Sequence, residues 1–144
     1  MKSNPSPRPD VLSWLLAWQD EVQRQQFETA SSRFASDVYS FGTVMTAVAG
    51  RDALMEHQWR AVWPRTRGFR FLPESVNTWG DEQQQVVAAQ WVSEGLNAAD
   101  GTPFERLGRA TIVLQRDDDR WLAVHTHFSV HPSPERFLPS ASSL

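Results

Sequence analysis

The sequence predicts an α+β domain in which N-terminal helices pack on a strongly curved antiparallel β-sheet. Three observations predict it. Apolar residues recur at helical spacing early in the chain, the period changes to two from Gly68 onward, and the later strands run to about twice the usual ~5–6 residues. Helices first and long hairpins afterwards favour this class over a βαβ winding. Strands of that length bend, and a bent sheet wrapped around helices makes a cone with a mouth.

Val11, Leu15, Trp18 and Val22 follow Pro9 and Asp10 at helical spacing and predict a helix over residues 10–28, with Asp10 its expected N-cap. A second short helix is expected near residues 30–35. Residues 37–42 and 43–48 read as short strands broken near Gly42. Asp52 is the expected cap of the next helix, whose apolar stripe is Met55, Trp59, Val62 and Trp63 and which Pro64 stops. Four strands are predicted at 68–79, 84–96, 104–116 and 120–130. Asp117-Asp118-Asp119 joins the last pair, and residues 97–102 join the pair before it.

A chain of 144 residues suits one domain, over residues 10–131, and can bury a core without metals or disulfides. Residues 1–9 and 132–144, rich in Pro and Ser, are expected to be disordered tails. The absence of cysteine excludes disulfides and thiolate metal sites. A net charge of −3, with the 14 Lys and Arg scattered, argues against nucleic acid or anionic membrane as partners. No signal-like apolar run opens the sequence and no segment reaches 18 apolar residues, which predicts a cytoplasmic protein. No Gly-rich phosphate loop, nucleophile elbow or zinc signature is present, so no cofactor is expected.

The order of elements, with Gly108-Arg109-Ala110-Thr111-Ile112-Val113-Leu114 and the segment from Trp121 to Ser129, resembles the nuclear transport factor 2-like superfamily. Within it, the chain is most similar to the SnoaL-like group and to the association (hub) domain of calmodulin-dependent protein kinase II. Gly80-Asp81-Glu82 matches a turn of the hub pattern, and Gly101-Thr102-Pro103 its Gly-x-Pro. Trp121, Val124, His125, His127 and Ser129 match Trp-x-x-Val-His-x-His-x-Ser. The resemblance implies a cystatin-like cone and a homodimer made through its convex face. It does not fix a reaction, because the superfold hosts isomerases, cyclases, dehydratases, transport factors and assembly modules. Three arginines mark the hub pocket, and they align with Val92, Ile112 and Phe128, so an apolar ligand or plain core filling is expected in place of an anion.

Strand parity then sorts the candidate residues. Leu122, Val124, Thr126 and Phe128 form the more apolar row of the last strand and are expected to face the helices. Trp121, Ala123, His125, His127 and Ser129 form the other. The pocket is accordingly expected to be lined by Trp18, Tyr39, Trp63, Val92, Ile112, Thr126 and Phe128. Trp91, Trp121, His125 and His127 are expected on the convex face as a dimer interface. His125 and His127 share a face about 7 Å apart and His131 continues their parity, yet no carboxylate joins their row, so a structural or interface role is expected and no metal site.

Asp37, Tyr39 and Glu94 are the catalytic candidates, as base, hydrogen-bond donor and burial-shifted acid. Steroid isomerases of the superfamily carry an oxyanion-binding Tyr on the first helix, where this chain has Trp14 and Trp18. Glu94 also reads as the exposed end of a strand, and Asp117–Asp119 as a solvated turn. Two functions are expected on these grounds. One is binding of a small apolar molecule in the cone, with isomerase, cyclase or hydratase chemistry. The other is a non-catalytic dimerisation or assembly module resembling the kinase hub.

Overall fold

The computed structural model describes residues 7–132. The apolar stripe of the first helix, α1 (Pro9–Gln23), buries Val11, Trp14, Leu15, Trp18 and Val22. Asp10 is not its N-cap: Pro9 takes the first helical position, and Asp10 points its carboxylate at Trp121 instead. The helix stops earlier than expected, at a left-handed Gln25 (φ 55°), and α2 (Phe27–Ser31) follows. Glu21 is buried on α1 and meets Arg33 with Nη2–Oε2 at 2.8 Å, which fixes the exit from α2.

Strand β1 (Phe34–Phe41) begins earlier than expected, and most of the second expected strand is loop, leaving only β2 (Val48–Ala49). Next comes a helical rod that changes pitch along its length. It starts as α3 (Arg51–Leu54), widens into a π-helical turn (Met55–Trp59), continues as α4 (Arg60–Val62) and tightens into a 3₁₀ turn (Trp63–Arg65) at Pro64. Gly50, not Asp52, occupies its N-cap.

The predicted strand at 68–79 is two strands, β3 (Thr66–Phe71) and β4 (Asn77–Gly80). Pro73, which cannot donate to a ladder, starts a 3₁₀ turn between them. The three long strands lie close to expectation: β5 (Gln84–Leu96), β6 (Pro103–Asp117) and β7 (Arg120–Val130). The sheet order is β2-β1-β7-β6-β5-β3, with β4 pairing the other half of β5. All pairs are antiparallel except β1–β7.

One irregularity decides which residues face the helices. On β7 the pairing passes from Val113–His125 directly to Leu114–Ala123, so Val124 is an extra residue, a β-bulge. A bulge reverses parity. Below it the inward row is Trp121 and Ala123, both buried, and above it Thr126 and Phe128. A single parity along the strand holds for the upper half alone, and Trp121 moves from the expected convex face into the core.

Trp121 is in fact the hub of a charged cluster that ties the start of the described chain to the sheet. Its indole donates to Asp10 Oδ2 at 2.9 Å, and the guanidinium of Arg116 lies 4.0 Å from its ring centroid. Arg8 reaches Glu82 with two hydrogen bonds of 2.8 Å and Asp10 with one of 2.7 Å. Arg8 and Pro9 of the expected N-terminal tail are thus tied into the fold; residues 1–6 and 133–144 lie outside the described residues. No helix among them is long and apolar enough to cross a membrane.

Candidate functional site: an aromatic pocket with one polar end

Helices and the concave face of the sheet enclose a cavity of about 60 Å³. Its walls are rings: Trp18 from α1, Trp59 and Trp63 from the rod, Phe69 from β3, Trp91 from β5 and Phe128 from β7. Trp59 and Trp63 stack with centroids 4.8 Å apart and planes 16° from parallel, and Phe27 stacks on the outer face of Trp63 at 5.1 Å. Phe128 meets Trp18 edge-on at 5.4 Å and Trp91 at 6.1 Å. So many rings largely fill the cone. The space left is that of about two water molecules, so a ring-sized guest enters only by parting these side chains.

The polar groups gather at one end. Arg106 of β6 donates from Nη2 to Thr43 Oγ1 and from Nη1 to Ser93 Oγ, both at 3.4 Å. Thr43 Oγ1 also accepts from Gln58 Nε2 at 3.2 Å, and Gln58 Oε1 accepts the Val44 N–H at 3.4 Å. The guanidinium carbon of Arg106 lies 5.2 Å from the Trp91 ring centroid. Among the described residues Arg106 forms no ion pair. Burial accordingly pushes its pKa down, with no carboxylate to raise it. Among the described residues the indole N–H groups of Trp14, Trp18 and Trp91 are buried without an acceptor.

Local structure explains how these side chains arrive. The π turn places two consecutive residues, Gln58 and Trp59, in buried positions beside the cavity, which a regular helix does less readily. Gly42 leaves the space Gln58 occupies, since a Cβ there would stand 2.5 Å from its amide carbon. Gly108 does the same for Trp91, its cross-strand partner, with a Cβ only 2.1 Å from the indole ring.

Of the residues expected to line the pocket, Trp18, Trp63, Thr126 and Phe128 stand on its wall. Ile112 is fully buried in the adjoining core but is not part of the lining. Val92 lies on the opposite face of β5, because the odd residues Val87, Ala89, Trp91 and Ser93 are the buried ones. Trp91 is thus a pocket residue and not a convex one, a correction that the polar Gln90 and Glu94 in the other row could have signalled.

Tyr39 is 47% exposed on the outer face. Asp37 is exposed, and so is Glu94, which pairs with Arg67. None of the three catalytic candidates stands on the cavity wall. His125 and His127 do lie on the outer face. His125 Nδ1 is 2.6 Å from the Tyr39 carbonyl oxygen, a donor's distance, and Phe41 packs edge-on against both imidazoles at 5.3 and 5.2 Å. Among the described residues no three His, Asp or Glu side chains are grouped as a metal would need.

Arg106, Gln58 and Thr43 went unread in the sequence. A signal for Arg106 was present, since it shares parity with Ile112 along β6, and Ile112 had been placed inside.

The two-layer cone of helices on a bent sheet is that of cystatin-like, nuclear transport factor 2-like proteins, and solved structures agree. One is an uncharacterized protein with a cystatin-like fold from Caulobacter vibrioides: TM-score 0.72, 12% identity, covering 91% of this chain and 94% of the other. Another is a ketosteroid isomerase-like protein from Erwinia carotovora atroseptica: TM-score 0.73, 14% identity, covering 87% and 96%. A third is a nuclear transport factor 2-like superfamily protein from Salmonella enterica: TM-score 0.73, 12% identity, covering 87% and 91%. The family model of the SnoaL-like domain matches residues 11–133, and the chain belongs to that family. Among curated proteins there is no match.

Proposed function

We propose that the domain binds a small, largely apolar molecule of about one ring in its cone. The observation that supports this reading is the composition of the wall, seven aromatic side chains, Phe41 among them, meeting the polar group around Arg106. Isomerase, cyclase or hydratase chemistry needs a proton-transfer group at the substrate, and among the described residues no carboxylate, imidazole or phenol lines the cavity. Binding is therefore the better-supported function of this site. Indole is a suitable probe: its addition is expected to raise the melting temperature and to shift the indole N–H resonances of Trp18 and Trp91 in NMR spectra. Spectra that stay unchanged at saturating indole overturn the reading.

A second reading is assembly. We propose that the outer faces of β1 and β7 pair two copies of the chain through Tyr39, Phe41, His125 and His127. Their mutual edge-on packing, with Tyr39 half exposed, supports it.

A further inference from the structure

We propose that the ligand of this pocket is an aromatic monocarboxylate of one ring, its ring among the tryptophans and its carboxylate on Arg106. The inference rests on the reading of the cone as a ring-sized binding site and adds the ligand's chemical class. Its basis is a mismatch between donors and acceptors. Arg106 carries five N–H donors, and the structure occupies two of its nitrogens with long, 3.4 Å bonds to hydroxyls. Gln58 presents its amide N–H groups to the same end, and its oxygen is already taken by Val44.

Against these, the side-chain acceptors bonded at that end among the described residues are two hydroxyls and the Gln58 oxygen, which already takes the Val44 N–H. A partly buried guanidinium without a counter-ion is costly, and a carboxylate supplies both the missing charge and acceptors in the geometry of its fork. The flat face of Trp91 under the guanidinium leaves the fork's edge as the side for a planar anion to approach. The three positions aligned with hub arginines are apolar, so this charge comes from a strand position outside that pattern.

Benzoate and benzamide are nearly isosteric and differ in charge, so calorimetric titration of each into the intact protein decides the matter. Benzoate is expected to bind at least about tenfold tighter than benzamide, the range of a charge-assisted hydrogen bond. Raising the salt concentration is expected to weaken benzoate alone. Arg106→Gln is expected to abolish the preference for benzoate over benzamide, and Arg106→Lys to retain part of it. Equal affinity of the wild-type protein for the two probes overturns the anionic class while leaving the ring-sized pocket standing. That comparison needs no variant, so it holds even where Arg106→Gln fails to fold. Failure of indole, benzoate and benzamide alike to bind overturns both readings together.

Discussion

Gly108 and Trp91 face each other across the β5–β6 ladder, and the indole lies where a side chain at 108 would stand. A methyl group there would also sit 2.4 Å from the Ser129 carbonyl oxygen, so the backbone of β7 blocks any escape. Gly108→Ala is expected to cost about 1–3 kcal/mol, read as a fall of several degrees in melting temperature. A neutral effect would mean that Trp91 moves freely. Glu21 and Arg33 give a second test. With Glu21 5% exposed, Arg33→Met strands a buried carboxylate and is expected to cost about 3 kcal/mol in a denaturant titration. At this scale the sequence was legible where one row of a strand was clearly the polar one, and β5 mixed the two: Val86, Ala88 and Val92 stand in the outer row against Val87, Ala89 and Trp91 in the inner. Alignment broke that tie in the wrong direction, although Gln90 and Glu94 pointed to the right one.

Elements show the same limits more sharply. The strand period gave the last three strands nearly to the residue, because each hides a continuous row, whereas the first helix ends well short of its expected limit, before the left-handed Gln25. The Val124 bulge left no such mark, since Leu122 and Val124 look as fit for the core as Ala123 and Thr126 do. Deleting Val124 is expected to make β7 regular while keeping Trp121, Ala123, Thr126 and Phe128 on the helix-facing side. The expected result is a retained cooperative melting transition, and its loss would show that the bend made by the bulge is itself required. The link between Arg8, Asp10 and Glu82 makes a pH prediction. Hydrogen bonding to Arg8 holds the Glu82 carboxyl below its ordinary value of 4.5. Burial raises Asp10, but bonds from Trp121, Arg8 and the Val11 N–H outweigh it and keep it below 3.8. Carboxyls with depressed pKa values stabilise the fold above their unfolded values and lose that contribution as pH falls through the folded ones. Glu82→Gln is thus expected to lower the melting temperature slightly at neutral pH, with a deficit that closes in acid and shrinks with added salt. A deficit independent of pH would assign the effect to packing.

For the whole molecule, the question is what the outer face meets. A homodimer through β1 and β7 would bury Tyr39, Phe41 and the two imidazoles. Native mass spectrometry at micromolar concentration is expected to find dimers, and Tyr39→Asp is expected to yield monomers that melt cooperatively. A monomeric wild-type protein would defeat the assembly reading and leave the pocket untouched. Tyr39, His125 and His127 stand off the cavity wall, whereas Phe41 lies on it and also packs on both imidazoles, so Tyr39→Asp is the substitution expected to leave the pocket's readout in place.

The crowding of rings in the cone has an optical consequence. Trp59 and Trp63, stacked at 4.8 Å and 16°, and Trp18, 6.3 Å from Trp59, are close enough for their electronic transitions to couple. Such coupling gives circular dichroism bands whose sign and size follow the mutual orientation of the indoles. A guest that tilts one ring by a few degrees changes that orientation directly. Its arrival should be visible as a change in band shape from the chain's own chromophores, with no label attached.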